Sequence, residues 1–232
     1  FLKVCDGIAF AHSRGVIHRD LKPGNIMVGN YGEVLVMDWG LAKIIGREDL
    51  RAGELITSSR LEENVNLTRD GASIGTPAYM PPEQAEGKLD QIDERSDIYC
   101  LGAMLYEILT LERPYEADSA LALMVKVIEG KLIPPEKRTP DRHIPRELSA
   151  IVMKCMARKN RERYHTTAAV RKDVGLYLEG RSVSAAPDSF GQATVKLVKS
   201  EMHSGIAFWG RNAPDHGDPH TYAGHLVMFP SG

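Results

Sequence analysis

HRDLKPGNIMV, residues 18–28, crowds ionisable and amide side chains between two apolar runs. Upstream, residues 1–14 place apolar side chains at 1, 2, 4, 5, 8 and 11, the spacing of a buried helix face, and Gly15 is a natural stop. Downstream, NIMV and EVLVM are short β-rich runs separated by GNYG, which reads as a hairpin. The second run leads into Asp38-Trp39-Gly40, so the hairpin brings Asp38 back beside Asn25.

Asp20, Lys22, Asn25 and Asp38 form a set with a chemical logic. An Asp on a tight loop can accept a proton from an incoming hydroxyl or orient it. A Lys two residues on can balance charge on a transferred phosphoryl group. Asn25 and Asp38 offer hard oxygen ligands, which suit Mg²⁺. Phosphoryl transfer needs mainly positioning and charge neutralisation, and these side chains can supply much of both. The plainer reading, that Asp and Asn here only cap turns, does not account for all four together.

The whole H-R-D-L-K-P-x-N string, followed by D-x-G at the end of a hairpin, resembles the catalytic loop and magnesium motif of eukaryotic-type protein kinases. GTPAYMPPEQ (75–84) resembles the end of that family's activation segment, with Pro81-Pro82-Glu83 in place of Ala-Pro-Glu. YMPPEQAEG is similar to the bacterial Ser/Thr members, and Lys22 and Thr76 match the Ser/Thr-specific choices. Asp97 and Gly102 match the D-x-x-x-x-G pattern of the family's central helix. The resemblance covers roughly residues 1–180.

The resemblance implies roles for individual residues. Asp20 and Lys22 become catalytic, and Asn25 and Asp38 hold Mg²⁺. His18 packs against the magnesium motif as a structural residue, and Trp39, in place of the usual Phe, is expected to be buried. Arg163 pairs with Glu83 to anchor the activation segment. Arg19 either gathers a phosphate on that segment or makes a simple salt bridge. Thr68, seven residues before Gly75, matches a phosphorylated position in bacterial relatives, with Asp70 beside it. Thr76 is expected to bond Asp20 and Lys22 rather than carry a phosphate. Glu107 either holds a substrate Arg or satisfies polar groups around it.

Beyond these motifs, residues 41–75 are polar and poorly periodic, an exposed segment. SDIYCLGAMLYEILT (96–110) is apolar nearly all round, hence a helix buried on most sides. Further helices are expected over 120–130, 147–159 and 166–180, with a proline-rich connection before 147. After Arg181 the pattern dissolves. His216, His220 and His225 have spacings a metal site can use, but Gly and Pro surround them and no Cys accompanies them. VKLVK (195–199) is similar to the start of the basic linker that leads to a membrane helix in many bacterial members.

The bulk numbers exclude several classes. With 29 Lys and Arg against 31 Asp and Glu, no overall field favours nucleic acid or an anionic surface. The 3 cysteines, Cys5, Cys100 and Cys155, are far apart in apolar surroundings and read as buried free thiols of a reducing compartment. No apolar run approaches the ~20 residues of a membrane span, and no secretory signal is visible.

The expected fold is mainly α with a small β-hairpin: a protein-kinase-like C-lobe of α+β type over 1–181, then an irregular C-terminal tail over 182–232. ATP and Mg²⁺ are the implied cofactors and a protein the implied substrate, in a cytoplasmic setting, with any membrane anchor of the parent protein outside this chain. The chain begins with Phe1 inside an apolar-periodic pattern, and nothing before His18 supplies a Gly-rich loop, a strand Lys or a helix Glu. It is therefore expected to be a C-lobe that relies on the N-lobe of the same polypeptide and is inactive alone. The alternative is a non-catalytic, kinase-like scaffold, which is free to lose Asp20, Asn25 or Asp38.

Overall fold

Residues Leu2–Ser13 form helix α1, with Val4, Cys5, Ile8, Ala11 and His12 buried along one stripe. Gly15 ends it, at φ +69°, a left-handed conformation that costs glycine little. The structure is a computed structural model that describes residues 1–46 and 76–186. Residues 47–75 and 187–232, and the side chain of Thr76, lie outside the described residues. The segment expected to be exposed over 41–75 is therefore described only at its start.

After Gly15 the chain makes two small antiparallel ladders. Val16–Ile17 (β1) pairs with Lys43–Ile44 (β4), and Ile26–Val28 (β2) pairs with Val34–Val36 (β3). Gly29 to Gly32 turn the second ladder, with Gly32 at φ +82°. The side chain of Lys3 donates to the Gly32 carbonyl at 2.5 Å, which ties α1 to the hairpin tip. Residues 18–25 thus leave β1 and enter β2.

From residue 76 onward the helices are α2 (Pro82–Ala85), α3 (Glu94–Thr110), α4 (Ala120–Glu129), α5 (Pro135–Arg138), α6 (Arg146–Cys155) and α7 (Thr167–Leu178). Side-chain caps start three of them. Asp93 accepts from the Arg95 amide, Ser119 from Ala122 and Thr166 from Ala169. Helix α3 is the axis of the core: every residue from Ser96 to Tyr106 is buried. Around it pack α1, α6 and α7, and Cys5, Cys100 and Cys155 lie in this core as free thiols. Burial pushes the Cys5 thiol up to about 12. No helix among the described residues is long and apolar enough to cross a membrane.

Two local expectations need correction. The helix read over 147–159 stops at Cys155. Its continuation loses out because the Arg163 guanidinium takes the carbonyls of Ala157 at 2.9 Å and Arg158 at 3.4 Å. The proline-rich connection is also partly ordered, as the short helix α5 and a 3-10 turn over Pro140–Arg142.

The described residues belong to a compact unit spanning Phe1–Asp188. Within it Asp173 receives hydrogen bonds from the Tyr164 hydroxyl (2.6 Å), the Ser184 amide and hydroxyl (3.0 and 2.7 Å) and the Ala185 amide (3.1 Å). Burial would raise its carboxyl, but these donors outweigh it and hold Asp173 below the usual carboxylate range. Val183 and Ala186 are buried beside it. The first residues of the segment expected to be irregular tail are therefore packed onto the helices.

Gly102 lies where α3 and α6 approach closest. A Cβ there would sit 2.5 Å from Cys155 Cβ and 2.9 Å from Met156 Cγ. Gly102→Ala gains some helix propensity but overpacks the core between two backbones, and a net loss of about 1–3 kcal/mol is expected. Urea denaturation of the wild-type and substituted chains measures it, and equal midpoints would show that α6 can give way.

Candidate active site

The loop from His18 to Asn25 is held by one carboxylate on α3. Asp97, fully buried, accepts from the His18 amide at 2.8 Å and the His12 Nε2–H at 2.8 Å through Oδ2. Its Oδ1 accepts from the Arg19 amide at 2.9 Å. Two successive backbone N–H groups reach the same carboxylate because Arg19 adopts φ +68°. That conformation costs a non-glycine residue on the order of 1 kcal/mol. The charge-assisted bonds to Asp97 offset it.

His18 is itself fixed at both ring nitrogens. Nδ1 accepts from the Asp20 amide at 3.2 Å, so the ring proton is on Nε2, which donates to the Met37 carbonyl at 2.9 Å. The imidazole thereby spans from the loop to the residue before Asp38. Trp39 stacks on it, with ring centroids 4.6 Å apart and planes tilted by 57°. The expectation that Trp39 is buried fails, since the residue is 39 % exposed. Its indole N–H donates to the Val36 carbonyl at 2.9 Å, so the ring lies over His18 on the outer side of the loop rather than in the core.

Asp20, Lys22 and Asn25 meet. Lys22 Nζ lies 3.0 Å from Asp20 Oδ2, and Asn25 Nδ2 donates to the Asp20 carbonyl at 2.7 Å and to Oδ2 at 3.2 Å. With its amide nitrogen committed, Asn25 presents Oδ1 as an oxygen donor. The Asn25 carbonyl accepts from the Met37 amide at 2.8 Å, so the β2–β3 ladder returns the chain to Asn25 one residue before Asp38. Asp38 is exposed, at φ +58°, and accepts from the Gly40 amide at 3.4 Å. A weakly engaged carboxylate and a free amide oxygen form a hard donor set that fits Mg²⁺.

Glu83 and Arg163 meet in the core as a two-pronged ion pair, at 2.7 and 2.8 Å. Ser96 donates to Glu83 at 2.8 Å, and the guanidinium lies 4.9 Å from the Tyr99 ring. Such completeness is what makes a buried pair tolerable. The Arg19 Nε donates to the Leu41 carbonyl at 2.5 Å. Glu107 accepts from the Tyr79 hydroxyl at 2.6 Å, and burial together with this bond raises the Tyr79 phenol. Thr68, and the hydroxyl of Thr76, lie outside the described residues. His12, Tyr79 and Gln84 also belong to this neighbourhood and were not singled out from the sequence. A His on the buried stripe of α1 was the available signal for the first; the other two had none that is local.

Asp97→Asn is expected to loosen the loop, because an amide offers one acceptor where a carboxylate offers two and turns its own donors toward N–H groups. Leaving buried donors unmatched costs on the order of 3 kcal/mol. Amide hydrogen exchange at His18 and Arg19 should quicken in the substituted chain, and unchanged protection there would show that Asp97 is not the anchor.

The protein kinase domain family matches residues 1–174. Among curated proteins, the serine/threonine-protein kinase PknD of Protochlamydia amoebophila is 40 % identical over 184 residues, which cover 78 % of this chain and 18 % of that protein. PknD of Chlamydia pneumoniae is 38 % identical over 184 residues, covering 78 % of this chain and 19 % of the relative. PknB of Mycolicibacterium smegmatis is 37 % identical over 185 residues, covering 80 % and 26 %. The chain thus spans under a third of the length of the relatives it matches.

Proposed function

Because this chain belongs to the protein kinase family, with bacterial Ser/Thr kinases among its relatives, we propose that residues 1–181 act as the C-lobe of a Ser/Thr protein kinase. The reaction moves the γ-phosphoryl of Mg-ATP to a protein hydroxyl. One observation carries the reading: Lys22 and Asn25 both bond the Asp20 carboxylate, on a loop anchored to the core by Asp97. A pure binding scaffold has no need of that convergence.

In this reading Asp20 accepts the hydrogen bond of the incoming hydroxyl, aims its oxygen at the γ-phosphorus and takes its proton as the new O–P bond forms. The bond from the γ-phosphorus to the bridging oxygen breaks, and ADP leaves. Lys22 Nζ, tethered at 3.0 Å to Asp20, offsets charge on the phosphoryl oxygens during transfer. Asn25 Oδ1 and the Asp38 carboxylate would hold Mg²⁺, which when bound neutralises phosphate charge. Glu107, which accepts from the Tyr79 hydroxyl, is the proposed holder of a substrate Arg, and Thr68, outside the described residues, the proposed phosphate acceptor.

Residues 1–17 contain no Gly-rich loop to cover the phosphates, so the C-lobe reading requires an N-lobe to supply that part. By itself the chain is expected to bind Mg-ATP only weakly. Calorimetric titration measures this, and a micromolar Kd would overturn the assignment.

Within a polypeptide carrying both lobes, Asp20→Asn is expected to cut kcat by about 10²-fold or more while the chain stays folded, since the side chain keeps its shape. Asp38→Asn should lose activity by raising the Mg²⁺ concentration needed for half-maximal rate. Radiolabelled ATP assays over a Mg²⁺ series read both, and wild-type rates in either variant would remove these residues from the mechanism.

A further inference from the structure

The peptide unit that joins Arg19 to Asp20 is clamped at both of its polar atoms. Its N–H, belonging to Asp20, is taken by His18 Nδ1 at 3.2 Å. Its C=O, belonging to Arg19, is taken by Gln84 Nε2 at 3.3 Å. A carbonyl only accepts, so the Gln84 amide is oriented unambiguously with nitrogen toward the loop. We infer that Gln84 is a positioning residue for Asp20, an inference that rests on the kinase reading above.

Three observations support it. First, Gln84 is 5 % exposed, and its Oε1 is buried with no hydrogen-bond partner. Met or Leu at this position would leave no acceptor to satisfy, so packing alone does not call for an amide here. Second, the residue carrying it is rigidly mounted. Gln84 follows Glu83, which Arg163 and Ser96 pin inside the core, and its own amide donates to the Pro81 carbonyl at 3.0 Å. Third, Arg19 is the left-handed residue of the loop, at φ +68°. Asp97 holds its N–H and Gln84 its C=O, from two different helices.

The consequence is directional. If the Gln84 bond is lost, the Arg19 carbonyl loses that donor, which loosens the backbone that aims Asp20 while its carboxylate stays tethered to Lys22 and Asn25. Gln84 lies in the closing motif of the segment that began at Asp38, so it transmits the set of that motif to the catalytic carboxylate. Bordering it is a gap of about 10 Å³ shared with Arg19, Asp20, Tyr79 and Met80, enough for at most one water. Met matches Gln in chain length and lacks its amide, so it removes the hydrogen bond with little change of shape.

The test uses the polypeptide with both lobes. Gln84→Met is expected to lower kcat about tenfold, the scale of a displaced catalytic group, with KM for ATP and for a peptide acceptor within about twofold of wild type and no fall in the thermal midpoint. Gln84→Glu adds a signature that a structural role would not produce. A protonated carboxyl can donate to the Arg19 carbonyl and a carboxylate cannot, so this variant should lose kcat as pH rises through the introduced group's pKa, a limb that wild type and Gln84→Met lack. In the isolated chain, Gln84→Met should quicken exchange of the Asp20 amide. A Gln84→Met kcat within twofold of wild type overturns the inference, as does loss of kcat, KM and stability together. If the wild type transfers no phosphate, the kinase reading fails instead. The Asp20 exchange rate then decides the clamp by itself, and an unchanged rate overturns it.

Discussion

A buried carboxylate with three hydrogen-bond donors is the point on which this molecule depends. Asp97 has lost its water entirely, and a desolvated charge persists in a core only if its lone pairs are filled. Two of the donors are backbone amides of the loop and the third is a histidine of α1. The electrostatic requirement of Asp97 is thus met by imposing a left-handed residue on the loop. Strain at Arg19 and satisfaction of Asp97 are one arrangement seen from two sides.

That anchor is useful because α3, which carries it, is the buried axis of the core. Its residues from Ser96 to Tyr106 are buried on every side, and Gly102 lets α6 approach to a distance no side chain would allow. The Glu83–Arg163 pair then attaches the segment ahead of α3 to the loop before α7, with Ser96 completing the acceptor shell. Arg163 also takes the Ala157 and Arg158 carbonyls just past the end of α6. One guanidinium therefore terminates a helix, neutralises a carboxylate and covers the Tyr99 ring. Neither ion group is worth much by area; their worth lies in fixing which backbone conformations are compatible with a closed core.

Much of the candidate site was legible because its chemistry is local. Asp20, Lys22 and Asn25 lie within six residues of one another, and a hairpin of alternating β-branched runs returns the chain toward them at Asp38. The helices were legible for a similar reason, since their apolar spacing, capping residues and glycine stops are all short-range signals. Illegible features share the opposite property. His12 reaches Asp97 across 85 residues, Gln84 reaches Arg19 across 65, and Tyr79 reaches Glu107 across 28. Nothing in a window of neighbouring residues encodes such meetings.

The residue types alone determined that a loop dense in oxygen and nitrogen donors, a hairpin and a set of amphipathic helices must be present, because periodicity, turn chemistry and donor identity are properties of adjacent residues. The tertiary structure decided how those pieces are held: which carboxylate takes the loop amides, which amide takes the Arg19 carbonyl, and where α6 stops. Trp39 shows the division most plainly. Its size and apolarity argue for burial, yet its indole N–H is bound to the Val36 carbonyl and its face to His18, and the ring stays half in water. Hydrogen-bond partners supplied by folding, rather than hydrophobicity, settled its place.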